Sequence, residues 1–553
     1  MKRTRKFMAL SSACILMAAS FTSCGENAPT NSGNYRPESS SAAEYYSSDE
    51  NYDEAYGEAA PESEGAGDWY DYSYDTNEPE YPSYNEEYKG YTEAGFKDPK
   101  VEPLSTFSAD VDTASYSNVR RLLEDNNIVP EDSVRIEEFI NYFDYDYPQP
   151  SDGSPFGRYV EIADCPWDQS HKLMMVGIQG QEIEANEAPP SNLVFLIDSS
   201  GSMSSYDKLP LVQSAFSMLA EKLNKNDRIS IVTYAGSSQT VLTGAKGTDK
   251  DEILEALYSI NASGGTNGEG GIETAYELAE KYFIKGGNNR VILATDGDLN
   301  IGASSEEELT ELIESKRDKG IYLSVLGFGT GNYKDARMEA VADNGNGNYS
   351  YIDSVDEAKK VLVEEMSGTL YTIAKDVKIQ VEFNPSQIKS YRLIGYDNRL
   401  MNAEDFLDDT KDAGEVGAGH SVTALYEVEL ADHGDSYHGV QLEFASEHDK
   451  LPVEDNGRSE LCKLSIAYKT PVNEKNMNTT DLFGMEKYSN SPSNSMKLAQ
   501  AAAEFAMILR NSEYKGKADF EMVLDTLESF EDSHDEKTSE LFDLAVIANG
   551  IYN

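Results

Sequence analysis

Residues 193–205 read LVFLIDSSGSMSS, and how this stretch is interpreted decides how the rest of the 553-residue chain is read. Five consecutive apolar residues, Leu193 to Ile197, predict a strand buried on both faces. That strand runs straight into Asp198 and then into five serines broken only by Gly201 and Met203. Taken alone, DSSGSMSS is compatible with a plain serine-rich turn. The surrounding pattern separates that reading from a functional one.

Outward from this point, strands alternate with amphipathic helices from Pro190 to about Thr372. RISIVTYA, SQTVLTG, RVILATD, IYLSVLGFG and NYSYID read as strands. KLPLVQSAFSMLAEKL, DKDEILEALYSI, NGEGGIETAYELAEKYF, EEELTELIESKRDKG, YKDARMEAVADNG and DEAKKVLVEEMSGTLY read as helices. Continuous apolar strands separated by helices predict an α/β fold, a doubly wound parallel sheet covered on both faces. Right-handed crossovers then bring the strand-to-helix loops to one edge of the sheet, where ligands of such folds bind.

Three loops at that edge are rich in oxygen. They are Asp198-Ser199-Ser200-Gly201-Ser202, Gly264-Gly265-Thr266-Asn267 and Thr295-Asp296-Gly297-Asp298. A donor set of hydroxyls and carboxylates, without nitrogen or sulfur, suits a hard cation such as Mg2+ or Mn2+. Asp298 reads as a solvated turn residue. Gly201 and Gly265 leave room for close backbone approach.

D-x-S-x-S at 198–202, Gly-Gly-Thr at 264–266 and Thr-Asp-Gly at 295–297 together resemble the von Willebrand factor type A family and its metal-ion-dependent adhesion site. The resemblance implies that Ser200, Ser202 and Thr266 touch the metal at roughly 2.1 Å, while Asp198 and Asp296 act largely through water. Neutral hydroxyl ligands would leave the metal enough charge to accept an Asp or Glu carboxylate from a protein partner. Two further stretches, DVDTASYSNVRRLL with RIEEFINYF, and KDVKIQVEFNPSQIKSYRLIGYDNRL onward, resemble the flanking regions of bacterial YfbK-type lipoproteins.

The flanks read separately. MKRTRKFMALSSACILMAASFTSC has a basic start and an apolar run of about fifteen residues, too short for a comfortable membrane span. Phe21-Thr22-Ser23-Cys24 resembles a lipobox, which implies lipidation of Cys24, a membrane anchor and an extracytoplasmic place in the cell envelope. Residues 25–98 hold 19 Asp and Glu against 3 Lys and Arg, with many tyrosines and few aliphatic side chains. They read as a disordered acidic tether. The expected organisation is therefore a signal peptide (1–24), a tether (25–98), an α+β N-terminal region (99–188), the type A domain (189–374), a β-sandwich-like region (375–494) and a helical end (495–553).

Within 99–188 the pattern predicts a helix around Val119, Leu122 and Leu123. It predicts a second helix across 130–143, entered at Pro130, and paired strands in RYVEIADCPW and KLMMVGIQGQ. VKIQVEFN, SYRLIGYD, SVTALYEVEL and CKLSIAYK alternate polar with apolar residues and read as antiparallel strands. Cys165 and Cys462 would remain after export, either as a disulfide or as two buried thiols. His433 and His438 share one polar stretch that reads as a solvated loop.

A formal net charge of −53 repels phosphate backbones and argues against nucleic acid as a partner. No histidine lies near the three loops, and neither GxSxG nor HExxH occurs, which disfavours a metal-assisted hydrolase and points to a non-enzyme. The expectation is a membrane-tethered binding module that grips an acidic protein ligand through its metal. The alternative is a scaffold in an envelope assembly.

Overall fold

The computed structural model describes residues 86–553 except 184–187, 266–267, 298–305, 331–333, 366–370, 409–410, 412, 432–459, 472–474 and 531–534. The signal segment, Cys24, most of the expected tether, Thr266, Asp298, His433 and His438 lie outside the described residues.

The chain begins with β1 (Leu104–Ser108), α1 (Ala114–Glu124), α2 (Ile136–Ile140), β2 (Phe156–Asp164) and β3 (Lys172–Gly180). An α/β segment follows: β4 (Ser191–Asp198), α3 (Leu209–Lys222), β5 (Arg228–Tyr234), β6 (Ser238–Lys246), α4 (Lys250–Tyr258), α5 (Gly268–Lys281), β7 (Asn288–Thr295), α6 (Glu306–Arg317), β8 (Tyr322–Phe328), α7 (Asp335–Asn344), β9 (Tyr349–Ile352) and α8 (Val355–Lys359). Then come β10 (Thr372–Phe383), β11 (Ile388–Ile394), β12 (Leu400–Met401), β13 (Val416–Gly417), β14 (Ser421–Leu430), β15 (Glu460–Lys469) and β16 (Asn476–Gly484). Three helices close the chain: α9 (Asn494–Leu509), α10 (Phe520–Glu528) and α11 (Glu536–Tyr552).

The α/β segment forms one six-stranded sheet in the order β6-β5-β4-β7-β8-β9. Strand β4 explains its own sequence. Leu193, Phe195 and Ile197 face a core built with α3 and α4, while Val194 and Leu196 face one built with α5, α6 and α7. Burial on both faces demands the unbroken apolar run. One strand departs from the expected parallel sheet: β6 pairs antiparallel with β5 at the edge. Only residues 235–237 connect them, and a crossover to a parallel neighbour needs a dozen or more.

The remaining strands make two facing sheets, β12-β1-β10-β15-β16 with β13 attached to β10, and β11-β14-β3-β2. Alternation along β3 sorts its side chains. Met174, Val176 and Ile178 enter the core between the sheets, and Leu173 and Met175 face α1, α2 and α9 to α11 on the outer side. Strand β1 pairs with β10, and β3 with β14. The sandwich expected over 375–494 is thus completed by strands from 99–188. The α/β segment is inserted between β3 and β10. Cys165 belongs to the helical core and Cys462 to the sandwich core; both are free and buried, so the disulfide alternative falls away.

Two local expectations fail for tertiary reasons. Across 130–143 a short turn over Glu131–Ser133 and the five-residue α2 replace one long helix. Val134 and Arg135 between them are extended, which sends the Arg135 guanidinium to Asp335 at 2.5 Å and Glu339 at 3.0 Å on α7. At the other boundary, residues 86–98 pack on the body instead of belonging to a loose tether. Glu86 pairs with Arg121 at 2.9 Å, Phe96 meets the rings of His171 and Tyr514, and the Lys97 N–H donates to the Tyr391 carbonyl at 2.8 Å. Aromatic rings here supply the apolar area that a count of aliphatic residues misses.

Candidate functional site

Strand β4 delivers Asp198 to the edge of the α/β sheet, fully buried. The Ser200 N–H donates to Asp198 Oδ1 at 2.8 Å, folding the serine loop back over the carboxylate. A short helical turn, Gly201–Ser204, then brings the Ser200 and Ser202 hydroxyl oxygens within 3.0 Å of each other. Met203 is buried beneath the turn as its apolar anchor.

The other two loops reach the same place. The Gly201 N–H donates to the Gly264 carbonyl at 3.0 Å, and the Ser263 N–H to the Ser199 carbonyl at 2.8 Å. Gly264 takes φ +82, the left-handed region that glycine adopts without strain. Strands β4 and β7 are parallel neighbours with Ile197 opposite Ala294, so Asp296 emerges beside Asp198. Of the expected site residues, Asp198, Ser200, Ser202 and Asp296 are brought together. Thr266 follows Gly264-Gly265 but lies outside the described residues.

The electrostatics at Asp198 are those of a buried carboxyl with a second carboxylate nearby. Burial pushes the Asp198 carboxyl up to about 6, and the Asp296 charge adds to this, against the hydrogen bonds from Ser200. Asp198 Oδ2 is buried and makes no hydrogen bond of normal geometry among the described residues, although the buried Tyr234 hydroxyl faces the carboxyl. Such an atom ordinarily costs about 1–3 kcal/mol, more when charged. An oxygen-only cradle with one unsatisfied buried carboxylate oxygen fits a hard divalent cation.

One participant was not singled out in the sequence. Lys208, at the entry of α3, places its ammonium 2.9 Å from Asp296 Oδ2, with both side chains buried. Its only sequence signal is a lysine two residues before Pro210 at a helix start, which reads equally well as a solvated end.

A second group of ligand-type residues, Asp168, His171 and Glu427, has ligand atoms within 4.8 Å of one another. Glu427 is already engaged by Arg392 at 2.9 Å, His171 at 2.6 Å and Trp167 Nε1 at 3.2 Å. The buried guanidinium supplies its positive charge, so this is a closed ion network. No helix among the described residues is long and apolar enough to cross a membrane.

Family models match the chain in three consecutive stretches: von Willebrand factor at 82–175, von Willebrand factor type A domain at 192–364, and the C-terminal region of uncharacterized protein YfbK at 368–551. Uncharacterized protein YfbK of Escherichia coli K12 is 42% identical over 443 residues, 79% of this chain and 76% of that one. Inter-alpha-trypsin inhibitor heavy chain H3 of Pongo abelii is 29% identical over 193 residues, 33% of this chain but only 22% of that protein. Among solved structures, a von Willebrand factor type A protein from Catenulispora acidiphila aligns over 74% of this chain and 89% of its own, at 13% identity and a TM-score of 0.39. Type A domains commonly bind a divalent metal at the strand edge and mediate protein–protein interactions. The unbroken apolar strand, the serine loop on Asp198, the two loops beside it and the identity to YfbK over both flanks lead to one assignment: this chain belongs to the YfbK family of von Willebrand type A domain proteins.

Proposed function

We propose that this protein is a binding module, held at the cell envelope by a lipid on Cys24, that grips a carboxylate of a partner protein through a divalent metal. In this reading Asp198, Ser200, Ser202, Thr266 and Asp296 hold Mg2+ or Mn2+. The metal would supply an open position for the partner's Asp or Glu. The observation that carries the reading is the buried Asp198 carboxylate, whose Oδ2 has no hydrogen bond of normal geometry among the described residues, beside the paired Ser200 and Ser202 hydroxyls. Buried polar atoms are ordinarily satisfied, and a cation reaching the loop past the exposed Ser202 would satisfy this one. Neutral hydroxyl ligands from Ser200, Ser202 and Thr266 would leave the cation enough charge for an anionic ligand, which favours binding a carboxylate over hydrolysing a bond.

The test is capture of envelope proteins with the full chain in Mg2+ and in EDTA, run alongside Asp198→Ala. The expected result is a partner retained in Mg2+, released by EDTA and lost at least tenfold in Asp198→Ala, with circular dichroism unchanged. Binding that survives both EDTA and the substitution would sink the reading. A single partner recovered in fixed stoichiometry would turn it toward an assembly subunit.

A further inference from the structure

The sheet edge carries a charge of its own that the donor set does not require. Lys208 reaches Asp296 from the entry of α3, and its backbone is tied on both sides. Its N–H donates to the Ser205 carbonyl at 3.2 Å, and its carbonyl accepts from Val212 at 2.9 Å. The methylene stem runs across Gly329, which follows β8. A Cβ added at Gly329 would lie 2.3, 2.4 and 2.8 Å from Lys208 Cε, Cγ and Cδ. Gly329 takes φ +74, and its carbonyl accepts from the Tyr351 hydroxyl at 2.9 Å. The lysine therefore lies in a fitted channel whose floor needs a glycine. Its ammonium is held on Asp296 by shape as well as by charge.

We infer that Lys208 is a built-in counter-cation that holds the metal affinity of this site low until a partner carboxylate arrives. This rests on the metal reading above. Asp198 and Asp296 bring two negative charges to the cradle, and Lys208 cancels one of them. A dication entering beside Asp296 then meets a fixed positive charge a few ångströms away in a poorly screened site. Its grip on the protein weakens, and more of its own charge is left for an incoming carboxylate. Metal and partner thus bind better together than separately, a reciprocal coupling. In the metal-free protein the same ammonium keeps the two buried aspartates from facing each other uncompensated. Lys208 is a positioning residue that acts through Asp296.

The test is Mn2+ binding to the full chain without any partner, followed by electron paramagnetic resonance, in wild type, Lys208→Met, Lys208→Gln and Asp198→Ala. Lys208→Met preserves the packing of the stem and is expected to bind Mn2+ at least tenfold more tightly than wild type. Its melting temperature should be lower in EDTA and should rise further on adding Mn2+, as tighter binding to the folded state requires. Lys208→Gln gives the same comparison should methionine disturb folding. Equal or weaker Mn2+ affinity in both lysine variants, with Asp198-dependent binding in wild type, would overturn the counter-cation alone. Absence of Asp198-dependent Mn2+ binding in every protein would overturn the metal reading and this inference together.

Discussion

Arg399→Met is expected to lower stability by roughly 3–5 kcal/mol near pH 8, and by clearly less near pH 5.5. Arg399 follows β11 and enters the seam between the α/β segment and the sandwich. Its guanidinium meets Asp110 at 2.9 Å, Asp112 at 3.0 Å, Glu339 at 3.2 Å and Asp343 at 2.9 Å. Arg135 stands alongside on Asp335, Glu339 and Glu138. Asn398 donates to Glu339, and the Tyr349 N–H donates to Asp112. Among the described residues six carboxylates meet these two arginines, and Glu137 adds its charge beside Glu138 and Glu339. Removing one guanidinium strands charges that water cannot fully reach, the costly way to break a buried ion network.

The pH dependence follows from the direction of the shifts. Burial raises Asp112 and Glu339, and pushes Asp343 up to about 7 and Glu138 up to about 8, against the pull of the arginines. Carboxyls raised above their unfolded values keep protons that the unfolded chain has released. Their contribution is full below the unfolded value, near 4, and is lost as the pH climbs through the folded values. In the variant these groups rise further, so lowering the pH re-neutralises the stranded carboxylates and closes the gap with wild type. A cavity of about 420 Å3 beside Asp110, Asp112, Asp343 and Arg399 gives solvent protons access. Urea unfolding at the two pH values reads the difference directly. An equal loss at both would mean that Arg399 contributes packing rather than charge compensation.

This seam also marks where the sequence stops being legible. Strand β4 declares itself because burial on both faces needs an unbroken apolar run, and the Asp198 loop follows at a spacing that only its own backbone sets. Those features are local. Strand β1 is the five residues LSTFS and β16 is the polar edge NMNTTDLFG; neither carries a pattern of its own, and each exists because a longer neighbour pairs with it. Which strands share a sheet depends on contacts between residues hundreds of positions apart, such as Phe107 with Ile379. The same holds for Arg135, whose extended backbone interrupts a good helical pattern because two acids on α7 wait for it. Lys208 was hidden for a related reason. A lysine at a helix entry is ordinary until the glycine channel 121 positions away shows that it is held inside. At the site, the donor types were readable from three loops, whereas the charge balance among them was not.

Glu504→Gln is expected to stabilise the protein by about 3 kcal/mol near pH 7, and by almost nothing near pH 4.5. Glu504 sits in the middle of α9 with no exposed surface, on a helix that packs Ala501, Ala502, Phe505 and Ala506 into the helical core. Neither carboxylate oxygen has a hydrogen-bond partner among the described residues. Burial raises its pKa to about 8, and Asp519 adds to the rise against the opposing charge of Lys517. The folded protein therefore holds this proton across a range in which the unfolded chain, at its ordinary value of 4.5, has released it. Stability from this group is complete below 4.5 and drains away at about 1.4 kcal/mol per pH unit up to the folded value, beyond which a bare carboxylate would sit in an apolar bundle. Glutamine keeps the shape and cannot ionise, so the variant should gain on wild type with that slope between about pH 5 and 7.5. Glu504→Leu should add a further gain of about 1–3 kcal/mol, because it also removes the unsatisfied polar atoms. Chemical unfolding across this pH range checks both. Parallel curves for wild type and Glu504→Gln would mean that the carboxyl finds a partner or water in solution, and that α9 is less tightly enclosed than its packing implies.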